Sequence, residues 1–441
     1  MTLFVSQELL LVLLISLQCL SCLAIANTML DRQAEALLQW KSDLTYYSDL
    51  DLWTNATSPC RWPGIGCSSM VAHGHGHERD AILVVTNITL YICGISGGLS
   101  KLRFAELPHL VHLDLGMNSL SGPIPSDIGR LAELSYLDLS GNVLNGSIPP
   151  SIGNLTSLQN MDLSTNEITG FIPESIGNFA SLQNMNLSTN EIAGFIPESI
   201  GNLTSLQNMD LSTNEITGFI PESIGNLMSL QNMDLSINEI TGFIPESIGN
   251  LTSLQNMDLS TNEITGLIPT SIGNLTSLRS MDLSNNRIIS PIPSTFWKLL
   301  SLQILNLESN VLNAILPPEL GFLSNLVVLN LSSNQFTGSI PPQIGQCHYL
   351  YSLRLSNNLL TGPIPQELGY CTDLTELDLS RNNLSGAIPM TFMNLSQLLE
   401  LNLSYNSLGG KFSGFYPTRI PSVLSLDHNT EFSQFKGTLN S

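Results

Sequence analysis

Three groups of residues in this chain could do chemistry, and spacing decides what each can do. Carboxylates dominate: 36 Asp and Glu against 15 Lys and Arg leave a net charge of −21. General acid–base catalysis needs two carboxylates in unlike surroundings, converging on one substrate atom. Here they recur at a fixed interval instead. Asp162, Asp210, Asp234 and Asp258 hold one place in near-identical copies of QNMDLSTNEITGFIPESIGNLTSL, with Asn186 interrupting them. Such a series reads as a repeated solvated surface, with no acid and base among it. Imidazoles form the second group. His73, His75 and His77 in AHGHGHER resemble a small metal tract, but they stand in a Gly-rich insertion, where a solvated loop is the plainer reading. No metal or cofactor is expected. Thiols are the third group. Cys60 and Cys67 flank a tight loop, CRWPGIGC, and are expected to form a disulfide. Cys347 and Cys371 lie one repeat apart, each replacing a core Leu. Stacking would bring them near enough for a bridge in principle, and two buried thiols in Leu slots is the plainer alternative.

Signatures of catalysis are missing. The chain has no Gly-rich phosphate loop, no VAIK-type Lys, no HRD or DFG, no GxSxG and no HExxH. An enzyme, and a kinase in particular, is not expected. The acidic balance argues against nucleic acid or anionic lipid and favours a basic partner.

The elements that carry these residues are set by a period. Asn recurs every 24 residues, thirteen times, from Asn118 to Asn406. A Leu stands eight residues before each (Leu110 to Leu398) and another three before (Leu115 to Leu403). The frame is LxxLxLxxN, followed in most copies by xLxGxIPxxIGxLxx. A fixed period of this kind specifies an α/β solenoid. Alternation in LxLxx gives each coil one short strand, Leu inward, and the strands align in a parallel sheet. One coil cannot cover its own Leu residues; a stack can. The recurrent Asn is structural, its amide pairing backbone groups where the chain leaves the strand. In GxIP, such as Gly170 to Pro173, Gly permits positive φ and Pro blocks regular structure, so the far side is expected to be irregular with short 3₁₀ turns.

Residues 1–26 end an apolar run in Ala24-Ile25-Ala26 and read as a signal peptide, although Glu8 sits where a Lys is usual and an uncleaved anchor is the alternative. No other segment is long and apolar enough to span a membrane, so the mature chain is expected to have no intrinsic span. Residues 27–84 read as an amino-terminal cap. Residues 85–109 read as a degenerate first repeat, with Val85, Ile88 and Leu90 in Leu slots and Cys93 in the Asn slot. Residues 110–421 hold the thirteen repeats and 422–441 a tail. Twelve Asn-x-Ser/Thr sequons fit export. Asn55, Asn87, Asn145, Asn154, Asn202, Asn250, Asn274 and Asn394 are the plausible glycan sites; Asn186, Asn330 and Asn402 fall on the strand face, where a glycan would cover it.

Charge and variety are unevenly spread. From Leu131 to Leu278 there is no Lys or Arg against fifteen acids. Five copies starting at Leu158, Leu182, Leu206, Leu230 and Leu254 present nearly the same outward residues and read as spacer scaffold. Diversity returns after Arg279. Tyr and Arg are the types that dominate interface energetics, so the expected partner-binding patch is Tyr351, Arg354, Asp378, Arg381 and Tyr405, weighed against ordinary strand-face variation.

These residues carry a resemblance. The coil LxxLxLSxNxLTGxIPxSIGNLxSL resembles the plant-specific leucine-rich repeat, whose fold is a right-handed superhelix with a parallel sheet on the concave face and a 3₁₀ or irregular convex side. AEALLQWKSDL followed by DLWTNATSPCRWPGIGC is similar to the amino-terminal cap of plant leucine-rich-repeat receptor kinases. There, Ala34, Leu37, Leu38, Lys41 and Leu44 suit a short helix that shields the first coil. TNITLYICGISGGLSKLRFAELPHL further resembles ectodomains of receptor-like kinases of the MDIS1-interacting type. The resemblance covers residues 30–410 and implies binding of an extracellular peptide or protein ligand at the cell surface, with a receptor-kinase co-receptor, in signalling or defence perception. Departures are plain: the transmembrane and kinase regions are missing, the last coil loses GxIP, and no carboxy-terminal Cys pair closes the stack. The RxR pair that some peptide receptors use is absent, Arg354 and Arg381 lying on neighbouring coils instead. A secreted inhibitor of a microbial cell-wall-degrading enzyme and a truncated receptor duplicate with little function are the alternatives.

Overall fold

Each period closes one coil because its apolar side chains all turn to one interior. In the computed structural model, which describes residues 29–47, 50–71, 81–289, 291–409 and 421–429, the coil starting at Leu206 buries Leu206, Met209, Leu211, Ile216, Ile220, Ile224 and Leu227. A Leu, Ile or Met deleted to Ala from such a core costs about 2–5 kcal/mol, so every coil depends on neighbours to cover its two open sides. The chain divides into two compact units, Met1–Ile192 and Ala193–Ser441.

In the first unit, residues 29–43 form a helix. Its buried line is Gln33, Ala36, Leu37, Trp40 and, just beyond, Leu44. This differs from the expected line in all but Leu37 and Leu44. The reason is polar as well as apolar: Gln33 Oε1 accepts from the Val85 amide at 2.9 Å and Trp40 Nε1 donates to Gly98 O at 2.9 Å. Lys41 instead lies along the surface and donates to Leu50 O at 2.7 Å. Trp53 stacks on Trp62 at 5.3 Å, and the Cys60–Cys67 disulfide closes the loop beneath. Strand β1 (Ile65–Val71) pairs antiparallel with β2 (Ala81–Thr89), whose other edge pairs parallel with β3 (His112–Asp114). One strand thus belongs to both the cap and the first coil. Strands Tyr136–Asp138, Asn160–Asp162 and Asn184–Asn186 follow in the same sheet, residue matched to residue at the 24-residue interval.

The second unit repeats the parallel pairing from Asn208–Asp210, with Asn208 beside Asn232, Met209 beside Met233 and Asp210 beside Asp234. The far side of each coil carries one 3₁₀ helix, such as Glu222–Asn226, as expected. A short second ladder was not anticipated: Glu215–Gly218 pairs with Glu239–Ile240, immediately after the framework Asn. Gly closes it at positive φ, 77° at Gly218. The Gly of each 3₁₀ turn is needed for a different reason. A Cβ on Gly225 would lie 2.5 Å from Ser247 O of the next coil, and that backbone has nowhere to go.

The recurrent Asn does the structural work assigned to it. Asn262 Nδ2 donates to Leu235 O (2.9 Å), Leu259 O (3.2 Å) and Ser260 O (3.2 Å), while its Oδ1 accepts from the Ile240 amide (3.0 Å). One side chain therefore pairs groups of two coils that burial would otherwise leave unmet. The segment read as a tail adds another strand and another framework Asn. Val423–Ser425 extends the sheet beside Glu400–Asn402, and Asn429 accepts from the Leu408 amide at 3.0 Å and donates to Leu426 O at 2.8 Å. It falls 23 residues after Asn406, so a strict period of 24 hides it. Residues 1–26 and His73, His75 and His77 lie outside the described residues.

Candidate functional site

The open face of the sheet is built from the outward positions of each strand. Those positions prove to be partly committed to the fold. Asp258 Oδ1 accepts from the Ser260 amide at 2.8 Å, and Asp234 takes both the amide and the hydroxyl of Ser236, at 2.9 and 2.7 Å. The acidic row thus also holds the turn that leaves each strand. Burial raises the carboxyl of Asp258 above its usual range, against the lowering effect of the Ser260 hydrogen bonds; Asp282 and Asp234 raise it further. Asp162 is raised chiefly by burial too. Asn186 makes the same bonds from the same place, 3.0 Å from the Ser188 amide and 2.7 Å from its hydroxyl.

The five patch residues form no single cluster: Arg354 pairs with Glu376, outside the five, and only Arg381 and Tyr405 pair with each other. Arg354 neighbours Asp378 in the sheet register, yet its guanidinium crosses to Glu376, with Nε 2.5 Å from Oε1. Ser352 Oγ donates to the other oxygen of Glu376 at 2.9 Å. Hydrogen bonding to Glu376 is the main reason the Arg354 pKa is raised, with Glu376, Glu400 and Glu308 charges adding to it. Asp378 is turned to its own chain, accepting from the Ser380 amide at 2.9 Å.

Arg381 and Tyr405 form the second pair, both at positive φ in the turn that ends their strands. The guanidinium carbon lies 4.5 Å from the Tyr405 ring centroid, and His428 stacks on the same ring at 4.1 Å. Sequence reasoning did not include His428, because it belongs to the segment hidden by the 23-residue step. Asp427 Oδ2 holds its Nδ1 at 2.9 Å. Tyr351 and Leu399, each one residue before its strand, and Val423, which opens Val423–Ser425, are exposed large side chains in the same coils. Leu399 and Val423 were missed as well. The result is an aromatic and apolar strip with two Arg side chains held in place beside it, a combination suited to binding protein and not to bond making.

Cys347 and Cys371 are buried and unbridged. Cys347 Sγ points to Leu323 O at 3.5 Å and Cys371 Sγ to Ile344 O at 3.6 Å. Burial pushes the thiols up to about 11 and about 12. The eight favoured glycan positions, Asn55, Asn87, Asn145, Asn154, Asn202, Asn250, Asn274 and Asn394, are all exposed, whereas Asn186 and Asn402 are half-buried and Asn330 is buried. Among the described residues no group of His, Cys, Asp and Glu could hold a metal ion, and no helix is long and apolar enough to cross a membrane.

Comparison with known proteins places this geometry. The profile described as Leucine rich repeat matches residues 181–240, 228–288 and 348–408, and a second profile of that description matches 109–131, 133–155, 157–179 and 325–347. The Leucine rich repeat N-terminal domain matches residues 30–68. A leucine-rich repeat receptor-like protein kinase of Arabidopsis thaliana is 39% identical over 116 residues, covering 25% of this chain and 9% of that protein. MDIS1-interacting receptor like kinase 2 from the same plant is 37% identical over 129 residues, covering 28% of this chain and 11% of that protein. The matches thus span about a tenth of those curated relatives. A solved structure, the Arabidopsis receptor kinase HAESA in complex with the peptide hormone IDA and the co-receptor SERK1, is 33% identical with a TM-score of 0.71. That alignment covers 91% of this chain and 74% of that one.

Proposed function

The chain belongs to the leucine-rich-repeat family, and from that premise we propose that it is an extracellular recognition module for a peptide or protein partner. The binding surface is the open sheet face around Tyr351, Arg354, Arg381, Tyr405 and His428. The observation that carries this reading is the change of surface along the second unit. Repeated Asn and Asp rows give way there to exposed aromatics and two Arg side chains already fixed by Glu376 and Tyr405. A prearranged Arg loses less rotamer freedom on binding, which favours it as a contact. The similar receptor kinase HAESA forms a complex with a peptide hormone and a co-receptor, and the same kind of partner suits this face. Secretion follows in this reading from the cap disulfide and the exposed sequons.

The test is calorimetry of the full chain, expressed through a secretory pathway, against a panel of synthetic plant signalling peptides. A binding peptide should lose affinity about tenfold or more with Tyr351→Ala and with Arg381→Ala, since interface Tyr and Arg commonly carry about 1–2 kcal/mol or more. Unchanged affinity in both variants would move the site elsewhere, and no binding across the panel would count against a peptide ligand.

A further inference from the structure

The duplicated coils of the second unit carry a feature that spacer scaffold does not require. Phe195, Phe219, Phe243 and Leu267 occupy one place in four successive coils, and they are 66%, 61%, 68% and 48% exposed. Each Phe lies against the Gly of the next coil: a Cβ on Gly242 would lie 3.1 Å from Phe219 Cβ, and one on Gly266 3.2 Å from Phe243 Cβ. The row therefore advances by one exposed side chain per coil. With roughly 150–250 Å² on each aromatic side chain, the row leaves on the order of 300–500 Å² of apolar surface in water, the size of patch that marks an interaction site.

Acidic residues border the row on both sides along the chain. Glu215 and Glu239, which open strands of the second ladder, and Glu263 at the same place in the next coil precede it; Glu198, Glu222 and Glu246 follow it at the start of the 3₁₀ turns. All six are exposed. Among the described residues only Glu263 of these has an ion-pair partner, and that partner shows what fits: Arg287 of the next coil lays its Nη2 3.0 Å from Glu263 Oε1.

We propose that this face, from Phe195 to Leu267, docks a basic amphipathic helix of a partner protein. The spacings agree. Coils repeat at about 4.8 Å and helix turns at about 5.4 Å, so the three steps of the row, ~14 Å, match about ten helical residues. Apolar side chains at i, i+3 or i+4 and i+7 settle between the rings, and Lys or Arg on both flanks reach the two Glu rows. A second copy of this chain is a poor occupant, because it would set Glu rows against Glu rows in a molecule of net charge −21. An anionic lipid surface is repelled for the same reason. The site lies on a different face from the Tyr351–Tyr405 strip and does not depend on it.

The test uses a synthetic peptide of about fourteen residues, built of Leu, Ala and Lys with one Leu stripe and Lys on both flanks, titrated against the full chain by fluorescence anisotropy. The double variant Phe219→Ser with Phe243→Ser should weaken binding about tenfold or more. Glu215→Gln with Glu222→Gln and Glu239→Gln should also weaken it and flatten its salt dependence. Asp210→Asn with Asp234→Asn, on the open sheet face, should leave it unchanged. The substituted side chains in the Phe and Glu variants are exposed, so the Phe variant should melt with the parent and the Glu variant no lower, which calorimetry verifies. The proposal is overturned by undetectable binding, by binding that the Phe pair does not affect, or by loss confined to the Asp variant. Equal binding of a twin peptide with Glu for Lys also overturns it, as does a parent dimer in sedimentation that the Phe variant dissociates.

Discussion

Asp258 shows how one side chain serves the fold and strains it together. Its carboxylate closes the turn through Ser260, yet it is partly buried and lies between Asp234 and Asp282 in the register. Burial, then those two charges, raise its pKa in the folded chain. A raised carboxyl binds protons more readily folded than unfolded. Its favourable share is therefore fully present below the unfolded value, about 3.9, and is lost as pH climbs through the folded value. Asp258→Asn should remove that loss, and Asn186 demonstrates that an amide makes the same turn bonds. The expected gain at neutral pH is a few tenths to about 1 kcal/mol, the scale of adjacent like charges on a sheet. Melting curves at pH 7 and pH 3 check it: the variant should melt higher at the first and match the parent at the second. A lower melting point at pH 7 would show that the anion is worth more to the turn than its repulsion costs.

At the scale of the element, every coil turns through a residue at positive φ just before its framework Asn. Asn285 and Asn357 fill that place well, being among the few residues that tolerate it. Ile237 fills it badly, with φ 54° at a β-branched and half-exposed side chain. Ile237→Asn should stabilise the chain by about 1 kcal/mol, given that the left-handed region costs an ordinary residue roughly 1–2 kcal/mol. Equilibrium denaturation reads the change, and an unchanged or lower midpoint would mean that Ile237 packs usefully against its neighbours. The Leu slots and the framework Asn were legible because they depend on contacts between equivalent places in adjacent coils, which a repeat displays directly; the 3₁₀ side was legible from Gly and Pro, and the Cys60–Cys67 bridge from its tight loop. What escaped depends on a break in the period or on side-chain direction. Asn429 and His428 were hidden by a single missing residue. Gln33 and Trp40 were passed over because an apolar pattern does not reveal a buried amide or a ring that reaches Gly98. In the patch, the residue types that face out were readable, but nothing in the spacing says that Arg354 crosses to Glu376 instead of its register neighbour Asp378.

For the molecule as a whole, the governing quantity is charge. The sequence carries −21, with no Lys or Arg from Leu131 to Leu278. Among the described residues the ion pairs made by Lys and Arg are only Arg103–Glu35, Arg287–Glu263 and Arg354–Glu376. Exposed pairs are worth about 0.2–1 kcal/mol each, so added salt has little attraction to weaken and much repulsion to screen. At about 0.01 M the screening length is roughly 30 Å, long enough for Asp and Glu several coils apart to repel; at about 0.1 M it is roughly 10 Å, and only near neighbours still do. The melting temperature should therefore rise by a few degrees between those sodium chloride concentrations. Over the same range a basic partner should bind more weakly, because the charges that burden the fold are the ones that attract it. These opposite responses separate this account from a simple salt effect on folding. A melting temperature that falls with sodium chloride would show that the few ion pairs outweigh the acidic rows. An affinity indifferent to salt would remove electrostatics from recognition and leave the apolar strips alone to explain it.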